Sequence, residues 1–195
     1  HLMAEDKIYK SWMKKKLFSS KGSSKKKKFS IIMPPPNVTG TLHIGHALNM
    51  TLQDVLARYW RMNNKDVLWQ PGTDHAGIAT QNVVEKKLFK EKKTNKSFLG
   101  KDKFISEIWK WKKESGDKIT NQIKKLGALP DWKRLKFTLD KDISETVNYA
   151  FIELYKKKLI YKDKRLINWD IKLQTAISDL EVEQIESKGT FVFIK

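Results

Sequence analysis

Short apolar runs alternate along the chain with longer stretches whose apolar residues recur at helical spacing. Residues 29–33 form one such run, Phe29 to Met33, and Pro34 stops it, so it reads as a buried strand of a parallel sheet. Leu48, Leu52, Val55, Leu56 and Tyr59 then follow at spacings of 4, 3, 1 and 3. That period predicts a helix over 43–62, with Asn63-Asn64 ending it. Residues 67–70 form the next strand, closed by Pro71-Gly72. Strand, loop, helix and parallel strand make a βαβ unit, whose ligand is expected beyond the C-terminal ends of the strands.

Further along, Val83, Val84 and Leu88 predict a helix over 77–92, and 94–100 is a polar break. A long helix is predicted over 101–126, with Phe104, Ile108, Trp111, Ile119, Ile123 and Leu126 inward and Gly127 as a left-handed stop. A turn at 130–132 precedes a helix over 142–157, carrying Ile143, Val147, Ala150, Phe151 and Leu154 inward. Residues 166–169, 178–182 and 190–194 are β-like runs. Upstream, Ile8, Trp12, Leu17 and Phe18 mark one side of a helix over 5–18, and the polar residues 19–28 read as a mobile linker. Trp109, Trp111 and Trp132 are expected in the core.

Composition narrows this picture. The chain has 195 residues, 39% of them hydrophobic, enough for one good core. No run of 18 apolar residues exists for a spanning helix. Cys is absent, so disulfides and Cys-based zinc sites are excluded, in keeping with a reducing cytoplasm. Residues 1–4 resemble a cloning remnant and are set aside from the fold. The net charge of +18 points to nucleic acid. It is unevenly spread: residues 1–33 hold ten Lys against two acids, whereas 34–85 hold three basic and four acidic groups. Basic flanks thus enclose a nearly neutral centre, fitting either an RNA-facing surface or a Lys-rich solvated exterior.

That centre contains Pro34-Pro35-Pro36-Asn37-Val38-Thr39-Gly40-Thr41-Leu42-His43-Ile44-Gly45-His46. Three prolines hold an extended approach, and Asn37 and Gly40 favour a turn. His43 and His46 come at the start of the predicted helix, where free N–H groups and the dipole attract an anion. The layout is that of a phosphate clamp. A bare cap, or a metal set completed by Asp74 and His75, are the competing readings of these histidines. Asp74 itself could be a helix N-cap.

His43-Ile44-Gly45-His46 matches the HIGH signature of the class I aminoacyl-tRNA synthetases, and residues 34–40 resemble the valyl, isoleucyl and leucyl group. The run at 71–81, from Pro71 through Asp74 and His75 to Gln81, and that at 165–183 resemble the valyl members. Ile171 stands where those usually have Pro, which implies a looser turn. The resemblance implies an α/β chain forming the first half of a class I (Rossmann-like, HUP-type) nucleotide-binding fold, with parallel strands and long helices. It places the N-terminal helix and linker at 5–28, the catalytic half-domain at 29–185, and at 186–195 the start of a strand leading into an editing insertion. The chain is then expected to be an N-terminal fragment without the KMSKS loop.

By the same resemblance the function is ATP-dependent activation of valine to valyl-adenylate and its transfer to tRNA(Val). His43 and His46 are the catalytic expectation. ATP is expected on Pro36, Asn37, Val38, Thr39, Gly40, Thr41, Leu42, His43, Ile44, Gly45 and His46. Valine is expected on Pro34, Pro35, Asn37 and Asp74, with Asp74 taking the ammonium. Mg²⁺ is expected to be bound mainly through phosphates, with no protein metal site. A cytoplasmic monomer with no membrane contact is implied. A stand-alone basic RNA-binding module and another HxGH nucleotidyltransferase are the alternatives.

Overall fold

The computed structural model describes residues 2–22 and 25–194. It divides into two compact units, His1–Asn148 and Tyr149–Lys195. The first begins with α1 (Leu2–Lys14), which already includes residues set aside above. Ile8 and Leu17, from the apolar side the sequence marks, are exposed. Tyr9 makes the attachment instead: its hydroxyl donates to the Ala128 carbonyl at 3.0 Å and accepts the Trp132 indole N–H at 2.8 Å. The linker is partly tied down, since Ser20 N–H donates to Asp131 Oδ2 and Lys21 N–H to Asp66 Oδ1.

The centre is the predicted βαβ unit: β1 (Lys28–Ile32), α2 (Ile44–Met62) and β2 (Asp66–Gln70). β1 and β2 are parallel, with Phe29 opposite Val67 and Ile31 opposite Trp69. β2 ends at Gln70, before Pro71, as expected. Beyond Pro71 the chain enters β3 (Gly72–Thr73), which pairs in parallel with β4 (Lys136–Phe137). Alternation explains how one run serves two neighbours. The carbonyls of Trp69, Pro71 and Thr73 accept from Asp131, Lys136 and Thr138, while those of Gln70 and Asp74 accept from Met33 and Val38.

α3 (Ile78–Lys92) and a short α4 (Lys96–Leu99), inside the expected polar break, lead to α5 (Lys101–Lys125). Gly127 follows α5 with φ of 75°, the left-handed stop its sequence predicts. Met33, Val38, Met50, Ala57, Val67, Trp69, Ile119 and Ile123 belong to the main core, and Val84, Leu88 and Phe104 to a second. The apolar stripe of α2 faces solvent. Leu48, Leu52, Val55, Leu56 and Tyr59 are all about half exposed or more, while Met50 and Ala57 face the core. Trp109 is also 48% exposed rather than internal.

α6 (Lys141–Lys156) forms as expected, but Val147, Ala150, Phe151 and Leu154 are exposed. In the second unit, β5 (Asn168–Asp170) pairs antiparallel with β6 (Thr175–Ile177). Residues 178–182 hold a 3-10 turn, not a strand, because Ser178 and Glu181 form a capping box. Residues 190–194 pair with no strand among the described residues.

Candidate functional site

The approach to α2 is shaped by prolines and by α5. Along one face of α5, the Trp111 indole N–H donates to the Val38 carbonyl at 2.7 Å, Ser115 Oγ lies 3.5 Å from the Gly40 carbonyl, and Gln122 Oε1 accepts the Leu42 N–H at 3.0 Å. The loop preceding the helix is therefore strapped at three alternate residues. Its backbone groups, which a turn cannot pair internally, find partners on a rigid element.

His43 is the N-cap of α2. Its Nδ1 accepts the Gly45 N–H at 3.1 Å, and His46 Nδ1 reciprocally faces the His43 N–H at 3.4 Å, completing a capping box built from two imidazoles. The ring centroids lie 4.0 Å apart. Because each Nδ1 accepts from the backbone, each neutral ring carries its proton on Nε2 and offers an N–H donor. Burial, and secondarily the charge of His43, hold the His46 pKa below its ordinary value. Gly45 is needed here: a Cβ would lie 3.0 Å from His43 Cε1.

The two histidines line a cavity of about 460 Å³ together with Pro34, Pro35, Pro36, Asn37, Thr39, Thr41, Leu42 and Gly45. Val38 is buried beneath, in the core, and Gly40 and Ile44 lie outside the lining. Asn49 and Met50, one turn further along α2, do line it and were missed, although their spacing of three and four from His46 marks the same helix face.

Asp74 is not part of that lining. It joins the loop through an isolated parallel bridge to Asn37: Asp74 N–H donates to the Pro36 carbonyl at 2.8 Å, and Val38 N–H to the Asp74 carbonyl at 2.9 Å. Asp74 Oδ1 accepts from Ala76 N–H and from Thr138 Oγ1, both at 3.1 Å, and lies 3.2 Å from His75 Nδ1. Asp74 caps no helix; Gly77 takes the N-cap position of α3. Ala76 has φ of 52° and Gly77 49°, so the chain turns sharply after the Asp74-His75 pair. Among the described residues, no three His, Cys, Asp or Glu side chains converge as a metal set, so the reading of His43, His46, Asp74 and His75 as joint ligands falls.

Residues 7–191 match the family model for tRNA synthetases class I (I, L, M and V). The chain is 56% identical over 195 residues to a valine–tRNA ligase of Pelagibacter ubique, covering 100% of this chain and 22% of that protein. It is 57% identical over 187 residues to a valine–tRNA ligase of Agrobacterium fabrum, covering 95% and 20%. The chain spans about a fifth of the length of these curated relatives. Among solved structures it resembles the ternary complex of Agrobacterium radiobacter K84 agnB2 LeuRS-tRNA-LeuAMS, with TM-score 0.73, 26% identity, and coverage of 89% of this chain and 20% of that one.

Proposed function

This chain belongs to the class I tRNA synthetases (I, L, M and V), and from that premise we propose that it carries the HIGH half of a valine–tRNA ligase site. Valine and ATP would meet on the wall built from the 34–46 loop and Asp74. The valine carboxylate attacks the α-phosphorus of ATP; a carboxylate O–P bond forms, the P–O bond to pyrophosphate breaks, and valyl-adenylate is left for transfer to tRNA(Val). Such a step asks the protein for position and charge neutralisation more than for covalent help.

The observation that carries this reading is the imidazole capping box. With both Nδ1 atoms turned to the backbone, the Nε2–H donors of two rings that line one cavity are left for an anion accumulating charge. In this reading His43 and His46 hold the phosphates, Gly45 leaves room for the nucleotide, and Pro36 to Leu42 shape its bed. Pro34, Pro35 and Asn37 border the valine side chain, and Asp74 receives the ammonium. Among the described residues no carboxylate lines the cavity, so these walls do not fit a metal cage. Mg²⁺ belongs here only as a companion of the triphosphate. The high positive charge suits tRNA phosphates. A cytoplasmic monomer is carried over from the family.

The test is titration with a non-hydrolysable valyl-adenylate mimic. Saturable binding that is abolished by His46→Ala and by Asp74→Ala is expected. Binding of RNA without any binding of the mimic would overturn the synthetase reading in favour of an RNA-binding module.

A further inference from the structure

We infer that Thr138, remote in sequence from both histidines, is the positioning residue of the amino-acid side of this site, aiming one Asp74 oxygen at the substrate ammonium. The inference rests on the reading of Asp74 as the ammonium acceptor.

Thr138 directly follows β4, and its N–H donates to the Thr73 carbonyl at 3.1 Å. Sheet register therefore places its side chain beside Asp74 and His75. Its Oγ1 has three partners: the His75 N–H at 2.9 Å, His75 Nδ1 at 2.7 Å and Asp74 Oδ1 at 3.1 Å. A hydroxyl has one hydrogen and two lone pairs. The backbone N–H can only donate, and a carboxylate can only accept. For all three contacts to be hydrogen bonds, the hydroxyl hydrogen goes to Asp74 and the two lone pairs receive the two His75 groups. That arrangement requires the Nδ1–H form of His75.

The carboxylate is then divided. Oδ1 is taken by Thr138 and by the Ala76 N–H, with His75 Nδ1 close by. Oδ2 accepts no hydrogen bond among the described residues, and the side chain is 34% exposed. One oxygen is anchored by the protein and the other is left for an ammonium. Without the hydroxyl, the Asp74 Oδ1 anchor rests on the Ala76 N–H and an imidazole that has lost its own acceptor.

The test uses the full-length gene product in ATP–pyrophosphate exchange, comparing wild type, Thr138→Val, Thr138→Ser, Asp74→Asn and Thr138→Val combined with Asp74→Asn. Thr138→Val is expected to raise the KM for valine roughly ten- to hundredfold, the loss of one charge-assisted hydrogen bond's worth of alignment. The KM for ATP stays in place, the Tm falls by no more than the lost hydrogen bonds imply, Thr138→Ser restores the wild-type KM and Tm, and Thr138→Val adds nothing to the valine KM in the Asp74→Asn background. The role is overturned if both KM values rise together, if Ser fails to restore, or if the two changes add. An unchanged valine KM in Asp74→Asn overturns the ammonium assignment itself. A raised value there with an unaltered Thr138→Val overturns only the part given to Thr138.

Discussion

At the scale of single residues, the two imidazoles cap α2 and, in the proposed reading, also donate to the nucleotide. Their orientation depends on a bare Cα at Gly45, since an added Cβ meets His43 Cε1 at 3.0 Å and Nδ1 at 3.1 Å. Gly45→Ala should therefore displace the His43 ring and weaken binding of the adenylate mimic by about tenfold or more, with the Tm nearly unchanged; calorimetric titration beside thermal melting checks this. His46 has a lowered pKa in the folded chain. As pH falls past its ordinary value of 6.5, the unfolded chain binds the proton first. Stability contributed by the neutral ring is thus present above that value and is lost as pH falls toward the depressed one. Tm measured between pH 7.5 and about 5 should fall less steeply in His46→Asn than in wild type.

At the scale of elements, α5 is the template on which the site loop is laid. Trp111, Ser115 and Gln122 lie on the same helix face and hold Val38, Gly40 and Leu42. Ser115 is 4% exposed, a polar residue set within an apolar stripe, and that mismatch was the one sequence signal for the strap. Gln122→Met keeps the length of the side chain and removes the acceptor for Leu42 N–H. It should cost about 1 kcal/mol of stability, plus whatever the unpaired amide adds, and should weaken nucleotide binding; chemical denaturation and titration read the two effects separately. Helix extents at α2, α3 and α5 follow from caps, glycines and period, all of which are local. The inward face of α2 does not follow from them. Its exposed stripe of Leu48, Leu52, Val55 and Tyr59 is as periodic as its buried side.

At the scale of the whole molecule, Leu48, Leu52, Val55 and Tyr59, on one face of α2, form exposed apolar surface on the first unit. Contiguous apolar surface of this kind is unusual on a monomeric chain. The 195-residue polypeptide is expected to enhance the fluorescence of a hydrophobic-surface dye, and Leu48→Lys with Leu52→Lys should reduce that signal without lowering the Tm. Equal fluorescence in both proteins would show that the stripe is covered. The surface ion pairs that join α3 to α5, Lys87–Glu114 and Lys92–Glu107, are solvent-facing and contribute little by comparison.

Much of the architecture was legible because its causes are close along the chain. Proline stops, glycine turns, the paired histidines at a helix start and the 3.6-residue period act over a few positions, so the strand–loop–helix–strand order and the site loop could be read directly. Three things were decided only by folding. One is which apolar face is covered, because periodicity names a stripe but no neighbour. Another is the new strand β3 beyond Pro71 and its pairing with β4, because the carbonyls that bind Lys136 and Thr138 alternate with those facing β1. The last is the meeting of Thr138 with Asp74 and His75, which depends on sheet register across more than sixty residues and leaves no trace in local spacing.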